Sequence, residues 1–376
     1  MTRPHRILID AHMVGENEAG NETYIVNLIR GLQSLDDDAR YIIATAHPAA
    51  LEQKISLGGR FQPAVVSASP YRRLLIDLPR ALRRHQADLL HITYMAPPWP
   101  GIPYVASIHD IIFKKHPEWF SRRDRIVLGA GIARSVRRAR AILTLSEHSR
   151  RDIHAIYGAP LDRIHAIPLA PDAIFSAPPA PADVEQTRRA RGLSDPYILA
   201  VGSLQPRKNL VRLVRAFASA KKARPTPHKL VLVGKPAWPK SELQTAIRAC
   251  GMESEIVFTG YVSDAELARL YYGAAFFIYP SLYEGFGLPI VEAMACGIPV
   301  IASQTSSMPE ITGDAALLID PRQESDIAAA IDRLRFDETL RRSLAERGRE
   351  RARHFSWKKT AAATRNVYAL AIRGDG

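Results

Sequence analysis

At 376 residues the chain is longer than one comfortable core, so two domains are expected. Hydrophobic content of 47% and charged content of 24% are ordinary for a soluble globular protein, and no run approaches the roughly 20 apolar residues of a membrane span. A formal net charge of +13 suits nucleic acid, anionic membrane or an acidic ligand, or else a solvated basic face; with no zinc-finger spacing and no aromatic RNA-binding signature, nucleic acid is the weakest of these.

The N-terminus, Met1-Thr2-Arg3-Pro4-His5-Arg6, runs directly into a strand over 6–10 without a signal-peptide core. A loop from Gly15 to Gly20 follows, then a helix with Ile25, Leu28, Ile29 and Leu32 on one face. That loop is not the dinucleotide fingerprint; it reads as a flap over a ligand or as a plain turn. Asp36-Asp37-Asp38 nominally contains the Asp-x-Asp of metal-dependent transferases, but it sits at the end of that helix, away from strand carboxyl ends, and reads as a solvated turn. Further strands are predicted at 41–45, 89–93, 104–109, 141–146 and 164–168. Such continuous apolar runs fit a parallel sheet covered on both faces. Between them lie two arginine-rich stretches, one with Arg72, Arg73, Arg80, Arg83 and Arg84 on a single predicted helix, the other running from Arg122 to Arg140. Leu74, Leu75, Leu78 and Leu82 interleave with the first, which reads either as an element lying on an anionic leaflet or as leucines packed under the sheet with arginines in water. His91 ends one strand, and His109, followed by Asp110, ends another; ligands of such sheets bind at those ends.

Prolines at 168, 171, 178, 179 and 181 then crowd an aperiodic stretch that reads as a linker. A second alternating series begins at 197–202 and continues through 229–234, 256–260, 275–280, 299–303 and 315–320. After its first strand, Gly202 permits close backbone approach, Ser203 offers a hydroxyl, and Arg207 and Lys208 supply two cations before a helix. Cations at a helix N-terminus oppose its dipole, so an anion such as a diphosphate is expected between them. Gly234 and Lys235 end the next strand and Tyr261-Val262 follow the one after. The most informative string is Pro280-Ser281-Leu282-Tyr283-Glu284-Gly285-Phe286-Gly287-Leu288-Pro289-Ile290-Val291-Glu292. Free amides at a helix start cradle an anion, and the bracketing carboxylates accept hydrogen bonds from hydroxyls. Phosphate-seeking amides between hydroxyl-seeking carboxylates describe a nucleotide-sugar site. Cys250 and Cys296, in helix-like small-residue settings, read as buried free thiols, and a cytoplasmic location is expected.

Glu284 and Glu292, with seven residues between them in this string, resemble the paired-glutamate motif of the retaining GT-B glycosyltransferases of family 4. The resemblance implies an α/β fold of GT-B architecture, two Rossmann-like domains facing across a cleft. The boundaries expected are an acceptor-binding domain at 1–176, a linker at 177–195, a donor domain at 196–355, and a C-terminal helix at 356–376 that crosses back to the first domain. It implies that Arg207 and Lys208 meet the leaving diphosphate, Glu292 the ribose hydroxyls and Glu284 the hydroxyls of the transferred sugar. The amides of Gly285, Phe286, Gly287 and Leu288 then face sugar and distal phosphate, Tyr261-Val262 the nucleobase, and Gly234 and Lys235 the same pocket. It implies a contact from His109 to the donor sugar near the reacting carbon, with Asp110 binding acceptor or orienting His109. Gly15 and Gly20 are donor contacts by the same analogy, although Asn21-Glu22-Thr23-Tyr24 departs from the basic or aromatic residue usual there. The run His109-Asp110-Ile111-Ile112-Phe113 with Pro117-Glu118-Trp119-Phe120 resembles bacterial transferases many of which use GDP-mannose. A metal-independent transfer of a hexose to a glycan or lipid-linked acceptor is therefore expected, with no cofactor. The partners expected are the nucleotide sugar, the acceptor and an anionic inner membrane leaflet. A nucleotide-sugar epimerase of the same architecture, a phosphorylase and a non-catalytic nucleotide-sugar or polyanion-binding protein are the competing readings. The paired glutamates weigh against the epimerase, and a phosphorylase needs a pyridoxal lysine and a much longer chain.

Overall fold

The computed structural model describes residues 3–16, 19–235 and 241–374, and they form two compact units. The first unit is Met1–Leu169 together with Ser356–Gly376; the second is Ala170–Phe355. In the first, strands β1 (Arg6–Asp10), β2 (Arg40–Thr45), β3 (Phe61–Val65), β4 (Leu89–Thr93), β5 (Tyr104–Ser107), β6 (Ala141–Thr144) and β7 (Ile164–Ala166) lie side by side in the order β3-β2-β1-β4-β5-β6-β7. Every pairing is parallel. The interior strand β1 is apolar over its middle residues because helices cover both faces: Ile7, Leu8 and Ile9 are all buried.

The second unit repeats the scheme with β8 (Tyr197–Val201), β9 (Lys229–Val233), β10 (Ile256–Gly260), β11 (Phe276–Tyr279), β12 (Val300–Ser303) and β13 (Leu317–Ile319), ordered β10-β9-β8-β11-β12-β13 and again all parallel. In both sheets the strand order reverses beside the first strand, β1 or β8. That is the switch point where ligands of doubly wound sheets bind.

Two boundaries differ from the sequence reading. The stretch 177–195 is not a linker: Pro181–Ala190 is a helix of the second unit, with Pro181 in its first turn, where a missing N–H costs nothing. It packs so closely on the helix Asp264–Gly273 that a Cβ on Gly273 would stand 3.2 Å from Val184. The first unit accordingly ends at Leu169 rather than 176, and its remainder is the closing helix Trp357–Arg373. Gly31 makes the docking of that helix possible, since a Cβ there would lie 2.7 Å from Trp357 O and 2.8 Å from Ala361 Cβ. Thr360 Oγ1 also donates to Pro168 O at 2.7 Å.

The arginine-rich helix from Pro70 to Arg84 contains a wider π turn at Arg73–Asp77. Arg73 is turned inward to lie 3.4 Å from buried Asp10. Leu78 and Leu82 are buried and Leu74 packs against the core, while Tyr71, Leu75 and Ile76 face solvent with Arg72, Arg80, Arg83 and Arg84. The leucines are thus divided between core and solvent, and of the five arginines only Arg73 is buried. Among the described residues, no helix is long and apolar enough to cross a membrane. Cys250 and Cys296 are free thiols.

Candidate functional site

The carboxyl ends of β8, β9 and β11 bring most of the sequence-predicted residues of the second unit together. Gly202 (φ +144°) and Gly234 (φ +147°) follow adjacent strands, and no side chain fits at the second: a Cβ on Gly234 would lie 2.1 Å from Gly202 O. On Gly202, a Cβ would stand 3.0 Å from Lys208 Cε, so glycine here leaves room for the lysine stem. The backbone of Leu204 donates to Lys235 O at 3.0 Å and holds the two loops together. A single 3-10 turn, Pro206–Lys208, precedes the helix Leu210–Ala223. Between them Asn209 adopts φ +61°, and its amide donates to Pro280 O (3.1 Å) and Pro321 O (2.6 Å). Leu282 N donates to Arg207 O at 2.8 Å, so the cationic loop and the glutamate loop are stitched into one surface.

At its centre, Lys208 is buried and donates to Glu284 Oε1 at 2.6 Å. It also donates to Tyr279 Oη, and Arg207 donates to Glu284 Oε2. Although burial opposes it, the charge of Arg207 and Lys208 beside Glu284 holds its carboxyl down at about 2. The sequence reading of two cations awaiting an anion needs one correction: the free site already supplies an anion, Glu284. The loop that carries it is clamped from behind. Ser306 Oγ accepts from Glu284 N (2.8 Å) and donates to Glu284 O (2.7 Å), and Ser307 Oγ lies 2.9 Å from Glu284 O and 2.8 Å from Phe286 O. Gly287 (φ +106°) then opens the helix Leu288–Cys296, which no side chain caps. Phe286 is buried edge-on against Phe355, so its side chain serves the core and its backbone faces the loop.

Glu292 lies inside that helix, buried, and accepts from Tyr271 Oη at 3.1 Å. Its environment is opposite to that of Glu284. Burial pushes its carboxyl up to about 8, against the Tyr271 hydrogen bond that lowers it. Paired carboxyls driven apart in this way have different tasks. Tyr261 is 64% exposed after β10, with Lys235 Nζ 4.8 Å from its ring centroid, while Val262 is buried beneath. An exposed ring backed by a cation suits a stacked base. Ser203 follows Gly202 in the same loop, and its carbonyl accepts from Gln205 N.

In the first unit, His109 follows the carboxyl end of β5 and is buried. Burial drives its imidazole down to about 4, so it is neutral. Nδ1 lies 2.9 Å from Asn21 Oδ1, which places the ring proton there, and Nε2 has no hydrogen-bond partner in the protein. An open acceptor nitrogen is therefore available to a hydroxyl. The orienting hydrogen bond comes from Asn21 and not from Asp110, whose carboxylate accepts from Ile112 N at 3.1 Å. Gly15 (φ +93°) is a tight turn whose N–H donates to Glu22 Oε1 at 2.9 Å, and Gly20 already lies within the first helix, Ala19–Gln33. Residues 17 and 18 between them lie outside the described residues. Asp37 is more than a solvated turn: it takes the Tyr41 hydroxyl at 2.6 Å and Ala39 N at 2.8 Å. Among the described residues, no three His, Cys, Asp or Glu side chains are grouped to hold a metal ion.

Sequence reasoning missed Asn21, Asn209, Tyr271, Tyr279, Ser306 and Ser307. The run Ser303-Gln304-Thr305-Ser306-Ser307 after β12 was a signal, since small hydroxyl residues beyond a strand bond to neighbouring backbone. The tyrosines carried none, because they sit within apolar runs.

Two family models match the chain. One described as "Glycosyl transferases group 1" covers residues 183–351, and one described as "Glycosyltransferase Family 4" covers residues 19–173. The O-antigen chain mannosyltransferase B of Escherichia coli is 35% identical over 268 residues, 71% of this chain and 70% of that protein. The MMP alpha-(1->4)-mannosyltransferase of Mycolicibacterium hassiacum is 31% identical over 287 residues, 72% of this chain and 66% of that protein. Among solved structures, HepE of Anabaena in complex with UDP and glucose superposes with a TM-score of 0.77 at 20% identity, covering 97% of this chain and 99% of that one.

Proposed function

The chain belongs to family 4 of the glycosyltransferases, the group 1 enzymes, and is a hexosyltransferase of GT-B fold; from that premise we propose that it moves mannose from GDP-mannose, with retention of anomeric configuration, to a hydroxyl of a glycan or lipid-linked acceptor in surface polysaccharide or glycoconjugate synthesis. The observation that carries the transfer reading is the buried Lys208–Glu284–Arg207 cluster at the switch point of the second sheet. Mannose as the sugar is supported by two relatives that are named mannosyltransferases, one of them for an O-antigen chain.

In this reading the bond from the anomeric carbon to the diphosphate breaks with its electron pair leaving on the diphosphate, and the acceptor oxygen forms the new bond on the same face, its proton passing to the departing diphosphate oxygen. Arg207 and Lys208 meet the growing charge, which is where fixed charges accelerate a reaction most. Glu284 then exchanges part of its ion pairing for hydroxyls of the hexose, and Glu292 accepts from the ribose. The amides of Gly285, Phe286, Gly287 and Leu288 face the distal phosphate and sugar, and Tyr261 stacks on the base beside Val262, Gly234 and Lys235. His109 offers Nε2 to the hexose, Asp110 serves the acceptor, and Gly15 and Gly20 contact the donor. The two cations stand in for the divalent ion of Asp-x-Asp transferases, so no metal or other cofactor is required in this scheme.

A cytoplasmic enzyme working peripherally at the inner leaflet fits the exposed Tyr71, Leu75 and Ile76 ringed by Arg72, Arg80, Arg83 and Arg84. The donor is tested by thermal shift against GDP, UDP, ADP and dTDP, followed by turnover of GDP-mannose with and without acceptor in the presence of a chelator. Stabilisation by GDP alone and acceptor-dependent GDP release are expected. Preference for UDP overturns the donor, isomerised sugar without acceptor marks an epimerase, and metal-reversible loss of activity overturns the role given to the two cations.

A further inference from the structure

In the first unit, four buried side chains form an unbroken polar chain. Tyr368 Oη, on the closing helix, lies 2.6 Å from His91 Nδ1, and His91 Nε2 lies 2.7 Å from Ser107 Oγ. Ser107 Oγ in turn lies 2.8 Å from Tyr24 Oη. None of the four residues is more than 3% exposed. Tyr24 then stands edge-on to His109, with ring centroids 4.5 Å apart. Three residues earlier on the same helix, Asn21 holds His109 Nδ1. The first helix therefore touches the His109 ring twice from one face, once at its nitrogen and once against its plane.

The protons in this chain are constrained. Burial, with His109 nearby, pushes His91 down to about 3, so one of its ring nitrogens donates and the other accepts. A phenol is a better donor than an alcohol, so Tyr368 donates to Nδ1 and Nε2–H donates to Ser107. Docking of the two helices does not need these hydroxyls, because the close approach at Gly31 already seats the closing helix. A buried polar chain that packing does not require is costly unless every member is satisfied, and satisfied it fixes one geometry.

We propose that His91 and Tyr368 are positioning residues for His109, fixing Ser107 and Tyr24 and through them the helix that sets the imidazole. The catalytic consequence rests on the reading that His109 meets the transferred hexose; the geometry itself does not.

The first test uses the full chain without substrate. Histidine side-chain nitrogen resonances are recorded and assigned with His91→Gln and His109→Gln. Tyr368→Phe should move the ring resonances of both His91 and His109; a change confined to His91 overturns the proposal. The second test uses GDP-mannose turnover. Tyr368→Phe should lower kcat about tenfold with KM within twofold, and should add nothing to the residual rate of His109→Ala. Equal fold-losses in the two backgrounds would mean that Tyr368 acts only through general packing. Tyr24→Phe keeps the ring and removes the hydroxyl, so it repeats both tests should Tyr368→Phe fold poorly. A wild-type enzyme inert toward GDP-mannose would count against the functional reading, and the resonance test would still decide the positioning one.

Discussion

Lys208 Nζ lies 2.6 Å from Glu284 Oε1, so a buried cation and a buried carboxylate are paired within the chain itself. In the proposed transfer a cation already held in place meets the diphosphate while Glu284 turns part of its pairing to the hexose, and pre-set charge is what lowers a barrier. The same pairing makes the lysine part of the fold. An exposed lysine could be removed at little cost to stability; this one cannot.

Lys208→Met should therefore abolish turnover and also destabilise, by about 3 kcal/mol, the low end for breaking a buried pair because Arg207 still holds Glu284. Lys208→Met with Glu284→Gln should recover much of that stability and none of the activity. Urea midpoints and turnover of the two variants check this. Recovered activity in the double variant would remove Lys208 from the chemistry.

Glu292 predicts a pH dependence of opposite sign to that of an ordinary carboxylate. Its carboxyl titrates near 4.5 unfolded and near 8 folded, so between those values the folded protein binds the extra proton. The stability it contributes is complete below about 4.5 and is lost as pH rises toward 8, at up to about 1.4 kcal/mol per pH unit. Glu292→Gln should flatten that slope in urea melts at pH 5 through 8. Ribose hydroxyls select the ionised form, so GDP binding at pH 7 should release a proton, seen by titration calorimetry in buffers of different ionisation enthalpy.

Tyr261→Ala should weaken GDP binding by about 1–3 kcal/mol, the range for losing one stacked base, while Tyr261→Phe should bind as wild type. Calorimetric affinities decide it. Equal affinity in all three proteins would place the base elsewhere.

Membrane contact predicts salt-sensitive co-sedimentation with anionic vesicles. Leu75→Ser with Ile76→Ser should weaken binding without changing stability, since both side chains already face water. Arg80→Gln with Arg83→Gln should weaken it by about 2 kcal/mol in sum. Wild-type protein that stays in the supernatant at low salt would leave a basic surface facing water.

The sequence was most legible where one physical constraint acted alone. Continuous apolar runs located twelve of the strands, because a strand buried on both faces can be little else. The strand it hid, Phe61–Val65, lies at a sheet edge, buries only Phe61 and Ala64, and carries Pro63, which an edge tolerates and an interior position does not. Proline crowding marked the domain boundary but misled about its width, since Pro181 starts a helix as readily as it breaks one. At the site, Glu284 with Glu292 and Arg207 with Lys208 stood out because their residue types are hard to explain otherwise, whereas Gly234 carried a weaker signal, since glycines at strand ends are common. Tyr271 and Asn21 were not legible: each works through a partner distant in sequence, Glu292 or His109, and a pairing of that kind has no local pattern.

The closing helix has a consequence for the order in which the protein can be built. The seven-stranded sheet is translated first, yet it waits for Trp357–Arg373, the segment that seats on Gly31 and supplies Tyr368 to His91. The second unit is an uninterrupted stretch, Ala170–Phe355, with all its strands in hand as soon as it leaves the ribosome. Every residue of the second unit is therefore available for folding before the first unit has the helix Trp357–Arg373. A nascent chain stalled before residue 357 would carry the whole of the second unit and lack one helix of the first.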